Sequence, residues 1–301
     1  MRVLRDEVQN RKIPVVDFTS AIEIIKDTEG KAAGAVLQNM ETGEILIARA
    51  KCVIIATGGA GRLHYQGFPT SNHYGATADG LYQDTLQYHP TGVAFPSQIY
   101  GALVTEKVRS MGAQFVNVNG EAFMHPLETR DVAASGVIRE VSRGNGVHTP
   151  LRDGIWLDSP MIDAIHGEGT LEKRLPGMLR MYLRYDIDMR KVPIVIYPTL
   201  HYQNGGVRVS VNGMSDVENL YVAGEAAGGV HGRNRLMGNS LLDVIVFGRN
   251  AGQEAGKQFK SVTLYDLTLE HVDSFEKECE AAGIHTDEVS PKILPDYRRK
   301  K

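Results

Sequence analysis

Residues 52–62 read CVIIATGGAGR, a short apolar run that stops on glycine. A strand apolar on both faces has the pattern of a buried parallel strand, and glycine at its carboxyl end lets a ligand approach the backbone. Thr57, Gly58 and Gly59 are therefore candidates for contact with a cofactor. Upstream, a short charged helix precedes IPVVDF (13–18), SAIEIIK (20–26), AAGAVLQN (32–39) and EILIA (44–48), which alternate or run apolar between the turn signals TEGK and ETGE. That pattern predicts a β-meander.

Downstream, residues from about 95 to 200 mix helix-like segments (132–143 and 170–185) with loops, which suggests a separate lobe. Strands return from GGVRVSVNG (205–213) through NLYVAGEAAGG (219–229), and residues 239–259 have helical length with a largely apolar first half. This apolar half predicts a buried helix. Residues 267–283 are amphipathic and charged, and the basic YRRKK end is expected to be solvated.

Composition narrows the classes. A chain of 301 residues, 42% hydrophobic and 23% charged, can bury a core and form one large or two ordinary domains. A net charge of -3 argues against a nucleic-acid partner held by bulk electrostatics, while leaving room for local cationic pockets. Cys52 and Cys279 are far apart and lack metal-ligand spacing, so neither a disulfide framework nor a structural zinc site is expected. The start is charged and no stretch reaches the length of a membrane span, which predicts a cytoplasmic protein whose membrane attachment, if any, comes through a partner.

Several polar residues stand where chemistry is expected, each with a plainer reading beside it. In VAGEAAGG (222–229), Glu225 can accept hydrogen bonds from a ribose diol; a tight strand-to-helix turn explains the glycines equally well. A second such turn at 56–61 favours the ligand. Ser240 and Leu241, at the start of the apolar helix, offer unpaired N–H groups and a positive dipole end, although Asn or Ser there also serves as an ordinary cap. His89, Thr105, His201 and Arg235 can each donate to an anion, or each be a satisfied structural group. Arg130 can pair with Asp131 or cap a helix, and Glu106 with Arg109 can form a surface ion pair.

Taken in order, ATGGAGR, ADG, QYHPTG, VTEKVRSMGAQ, TRDV, RLPGM, PTLHYQNGG, YVAGE and HGRNRLMGNSLLDVIVFGR resemble the fumarate reductase and succinate dehydrogenase flavoprotein family, which includes L-aspartate oxidase. The resemblance covers roughly residues 1 to 260. It implies an α/β two-dinucleotide FAD-binding fold with an inserted α+β capping domain. The expected divisions are a partial FAD-binding domain at 1–94, the cap at 95–200, the second FAD-binding part at 201–260 and a shortened helical segment at 261–301. By motif, Thr57, Gly58, Gly59, Asp79, Glu225, Ser240 and Leu241 contact FAD, and His89, Thr105, His201 and Arg235 hold a C4-dicarboxylate. Arg130 delivers or takes the proton, with Glu106 and Arg109 relaying it. His231 and Arg233 are left with structural or surface roles.

The pattern also departs from the family. No G-x-G-x-x-G turn for the FAD pyrophosphate precedes Arg2, so the fold is expected to be incomplete and to need an N-terminal complementing fragment. The segment TADG (77–80) runs directly into LYQDTLQYHPTG, where the family places a longer apolar helix. The resemblance implies interconversion of fumarate and succinate, with an iron–sulfur subunit or another electron-transfer partner. L-Aspartate oxidase and a non-catalytic half-protein stand as the alternatives.

Overall fold

The alternating segments pair largely as their pattern predicts in the computed structural model, which describes residues 2–59, 69–70 and 85–283. In chain order the first elements are α1 (Arg2–Asn10), β1 (Thr19–Asp27), β2 (Ala32–Asn39), β3 (Ile45–Arg49) and β4 (Val53–Ile55). Next come β5 (Leu86–Val93), α2 (Lys107–Ser110), β6 (Gln114–Val116), β7 (Ala122–Met124), α3 (Arg130–Glu140) and β8 (Ile155–Asp158). Helices α4 (Met161–His166), α5 (Thr170–Arg174) and α6 (Pro176–Leu183) lead into β9 (Ile194–Gln203). The remainder is β10 (Val207–Arg208), β11 (Leu220–Val222), β12 (Ala227–Gly228), α7 (Asn239–Gln258), β13 (Leu267–Thr268) and α8 (Glu270–Ala281). These elements fall into two units, one built from residues 2–55, 209–222 and 247–283, the other from the described residues of 56–208 and 223–246.

In the first unit an antiparallel sheet runs in the order β13-β1-β2-β3. Its turns are closed by side chains: Asp27 Oδ1 accepts the N–H groups of Glu29 and Lys31, each at 3.0 Å, around Gly30 at φ +79°. Gly34 lies so close to β3 that a Cβ there would sit 2.1 Å from the Ala48 carbonyl oxygen. The segment IPVVDF is not a strand, against expectation. Lys12 and Phe18 at its ends take positive φ, Pro14 offers no N–H, and the place beside β1 is filled by β13.

The glycine-terminated strand β4 pairs in parallel with β11, Val53 opposite Leu220 and Ile55 opposite Val222. Its pairing is as predicted, but its burial is not. Strand β11 is buried throughout, whereas Ile54 is 43% exposed. Among the described residues this sheet has two strands, so β4 is an edge with no neighbour on its far side. The predicted strand at 205–213 is likewise reduced to the two residues of β10.

In the second unit an antiparallel five-stranded sheet is ordered β5-β9-β8-β6-β7. Its core holds Phe115, Ile155, Leu157, Ile194 and Ile196 from the strands, with Ala133 and Val137 from α3 and Leu171, Leu179 and Tyr182 from the helices after β8. The single helix suggested by 170–185 is split at Leu175–Pro176, where proline opens α6. Helix α3 ends in a wide turn over Val141–Asn145, with Gly144 at φ +84°.

The first residues of α7 invert the prediction of burial. Leu241, Leu242, Val244, Ile245 and Val246 are all exposed, and the buried residue among them is Asp243. Its carboxylate Oδ2 accepts a hydrogen bond from Tyr202 Oη at 2.9 Å, which offsets the cost of removing it from water.

Replacing Gly34 with Ala forces β2 and β3 apart, because the obstructing atom is a backbone oxygen. We expect a loss of about 1–3 kcal/mol, read as a lower urea midpoint. An unchanged midpoint would show that the two strands can separate freely.

Candidate functional site

Strands β5 and β9 lie side by side in the second unit, with Gln87 opposite Tyr202 and His89 opposite Thr199. Breaks in the register after Gln87 and after His89 alter the regular alternation of side chains. The His89 and His201 rings meet edge to face, 5.5 Å between centroids. His89 is buried, with Nδ1 3.0 Å from Thr91 Oγ1. Thr105 is half-buried, and its hydroxyl oxygen accepts the Lys107 N–H at 3.4 Å just before α2.

Glu106 and Arg109 do not form a surface pair. Arg109 is 1% exposed, its Nη1 donates to the Pro126 carbonyl, and its guanidinium lies 5.6 Å from the Phe115 ring centroid. Arg130 opens α3 and turns away from its neighbour Asp131, which instead accepts from Asn234 Nδ2 at 2.9 Å. Arg130 Nε donates to Glu106 Oε2 at 3.1 Å, and Arg109 Nη2 stands 3.5 Å from the same oxygen. One carboxylate oxygen thus serves two guanidinium groups. Burial lowers the Arg109 pKa; Glu106 opposes that shift and Arg130 adds to it.

Gln87 joins this set to the fourth anion-holding candidate. Its Oε1 accepts from Arg130 Nη1 at 2.9 Å, while its Nε2 donates to the Arg235 carbonyl and to Asn234 Oδ1, both at 2.7 Å. Arg235 is 5% exposed and its guanidinium carbon lies 4.3 Å from the Tyr202 ring centroid. Its Nη1 donates to the Leu236 carbonyl at 3.0 Å, and its buried Nε has no hydrogen-bond partner among the described residues. Burial is the main cause of a lowered Arg235 pKa, followed by the charge on Arg130. The structure therefore brings Glu106, Arg109 and Arg130 together by direct contact, and connects Arg130 to Arg235 through Gln87.

Sequence reading passes over Gln87, Tyr202 and Asp243. A signal for Gln87 is present in its place two residues before His89 on one strand, although the register break after Gln87 means that alternation alone does not put the two on one face. His231 has the structural role expected, its Nε2 3.3 Å from Asp243 Oδ2 and its ring packed edge to face against Tyr202.

Two of the cofactor candidates, Glu225 and Gly59, make a second close approach in this unit. Glu225 Oε1 accepts the Gln203 N–H at 2.9 Å, and a Cβ on Gly59 would lie 2.6 Å from that oxygen. Gly58 adopts φ +76°, and Thr57 is exposed. Ser240 is half-buried and Leu241 is 65% exposed at the start of α7. The Leu241 N–H is not unpaired as predicted, because it donates to the Gly238 carbonyl at 3.1 Å. Gly238, at φ +87°, turns its carbonyl into the first helical turn. Asp79 and the TADG junction lie outside the described residues. What is described fits FAD: a carboxylate acceptor suited to ribose hydroxyls, a cradle that a Cβ would fill, and an exposed helix start.

A glycine turn facing a carboxylate, in a chain of mixed strands and helices, fits a dinucleotide-binding α/β protein. Residues 1–241 match the family described as FAD binding domain, and the chain belongs to that family. FAD is its cofactor. The succinate dehydrogenase flavoprotein subunit of Coxiella burnetii is 36% identical over 270 residues, covering 80% of this chain and 44% of that protein. L-Aspartate oxidase of Clostridium perfringens is 31% identical over 292 residues, or 92% of this chain and 61% of the oxidase. A solved quinol-fumarate reductase with menaquinol molecules superposes with a TM-score of 0.76 at 30% identity, covering 94% of this chain and 51% of that one. The chain thus spans about half the length of the relatives it matches. No helix among the described residues is long and apolar enough to cross a membrane.

Both site histidines are neutral near pH 7. Burial, then Arg130 and Arg235, lowers His201 to about 4; burial, then Arg130, His201 and Arg109, holds His89 well below its ordinary value. The unfolded chain takes up these protons near pH 6.5 and the folded one only at lower pH, so their contribution to stability is full above about pH 6.5 and lost as the pH falls. We expect the urea midpoint to fall between pH 7 and 5, and His201→Gln to reduce that dependence. An equal dependence in the variant would exclude His201 as a source.

Proposed function

We propose that this chain serves the interconversion of fumarate and succinate, as part of a flavoprotein of the fumarate reductase and succinate dehydrogenase type. The observation that carries this reading is the Glu106 oxygen held between Arg109 and Arg130, with Gln87 tying Arg130 to the Arg235 backbone. In this reading residues 95–200 form the cap, and residues 1–94 and 201–260 contribute to the FAD-binding domain, with Thr57, Gly58, Gly59, Asp79, Glu225, Ser240 and Leu241 on the cofactor side.

Arg235, His89, His201 and Thr105 hold the two carboxylates of the substrate. Arg235 has a buried Nε without a partner among the described residues, a donor suited to a carboxylate oxygen. The neutral histidines donate without adding charge to a site that already holds Arg109, Arg130 and Arg235. Fixed cations polarise the double bond and stabilise negative charge that develops on the clamped carboxylate.

When bound and reduced by a partner's electrons, the flavin would supply the hydride. Arg130 would deliver a proton to the other carbon, and Glu106, taking up a replacement proton from solvent, would pass it to Arg130 through their hydrogen bond; Arg109 holds that carboxylate in place. Arginine is a poor acid in water because it holds its proton so firmly. Here the second guanidinium beside the shared carboxylate and prompt return of the proton ease the step. Electrons come from or go to a separate partner, such as an iron–sulfur subunit, and that partner supplies any attachment at the inner face of the membrane.

The test is fumarate reduction by flavin-loaded protein with a reduced viologen as donor, alongside oxidation assays with succinate and aspartate. Arg130→Ala and Arg130→Lys should lower fumarate turnover by about 100-fold or more, while the protein keeps its flavin absorbance. Near-normal turnover in either variant overturns the assignment. Activity with aspartate alone assigns the chain to the oxidase chemistry, and protein that stays colourless and inactive with FAD and an N-terminal complementing fragment is a non-catalytic half.

A further inference from the structure

Behind Arg235 lies a second buried set of groups that the proton relay does not use. Tyr202 presents its ring to the guanidinium at 4.3 Å and donates its hydroxyl proton to Asp243 Oδ2 at 2.9 Å. Tyr202 and Asp243 are 5% and 3% exposed, so both groups are desolvated. His231 approaches the same carboxylate oxygen at 3.3 Å and packs against the Tyr202 ring with centroids 5.6 Å apart. The phenol is therefore held at its hydroxyl by Asp243 and by a T-shaped ring contact with His231, and Arg235 lies over its ring.

We propose that Tyr202 and Asp243 are positioning residues for Arg235: the carboxylate fixes the phenol, and the phenol sets the height and tilt of the guanidinium. Three features support this. Among the described residues the Arg235 Nη1 donates to the carbonyl of the adjacent Leu236 and the Nε has no acceptor, so hydrogen bonds alone leave the guanidinium plane free to rotate. Stacking on an aromatic face defines that plane. A phenol donating to a carboxylate also has a more electron-rich ring, which strengthens its attraction for a cation.

The arrangement links two parts of the site through one residue. Asp243 belongs to the first turns of α7, two residues after Leu241, while Arg235 precedes that helix. A change in the start of α7 would reach the guanidinium through Tyr202. The effect on dicarboxylate affinity rests on the reading given above, in which Arg235 grips a substrate carboxylate; the effect on Arg235 itself does not.

The test uses the flavin-loaded protein with 15N-labelled arginine. In the absence of substrate, the Arg235 Nε–H resonance, assigned by its disappearance in Arg235→Lys, should show an upfield ring-current shift and slow exchange with water. Tyr202→Phe keeps the ring and removes the hydroxyl; Asp243→Asn keeps an acceptor and removes the charge. Both should move the resonance and speed its exchange, and raise the Kd for fumarate about tenfold, which corresponds to about 1.4 kcal/mol. An unchanged resonance in both variants overturns the proposal, whatever their activity. A changed resonance in a protein whose parent form binds no fumarate sustains the positioning role and rejects the dicarboxylate reading.

Discussion

Three arginines gathered in one buried region repel one another, and the second unit's site is organised by how that repulsion is contained. Arg109, Arg130 and Arg235 are each mostly removed from water, and each pair linked through Arg130 feels the other's charge. A buried charge without a partner costs several kcal/mol. Glu106 answers two of the three, and Glu225 and Asp243 act on the third at longer range. The histidines between them stay neutral because burial disfavours their charged form and, after that, because a further proton would add to the same excess of positive charge.

That containment needs a rigid frame. Glu106 caps and Arg109 belongs to the short helix α2 after β5, Arg130 takes the first position of α3, and Arg235 comes from the segment before α7. Packing of α3 over β5 and β9, around Ala133, Val137 and Ile196, holds the helix start against the sheet. Gln87 adds a fixed spacer, because its amide can accept from one arginine side chain and donate to the backbone of another residue at the same time. A charged side chain in that position would satisfy only one of the two ends.

Much of this is legible from local pattern, and the departures have a common cause. The β1–β2–β3 meander is readable because alternation and glycine turns are local properties, closed here by Asp27 within five residues. The Glu106–Arg130 contact joins residues 24 apart at the starts of separate helices, so the choice between Asp131 and Glu106 as partner is decided only by packing. Ile54 and the first half of α7 read as buried because their residues are apolar. Apolar sequence states what a segment prefers, whereas burial depends on whether other residues cover it. Asp243 is the converse case: a carboxylate looks solvent-facing until a phenol and an imidazole are placed beside it.

The exposed start of α7 has a physical consequence of a different kind. Leu241, Leu242, Val244, Ile245 and Val246, interrupted by the buried Asp243, turn aliphatic side chains to water. Such a face is attractive to any other apolar surface and grows more so as water warms, since the hydrophobic drive strengthens on heating from low temperature. It gives the chain a concentration- and temperature-dependent stickiness that its net charge of -3 is too small to oppose by mutual repulsion. The helix that carries Asp243 to the site thus also turns one of the chain's exposed apolar segments to water.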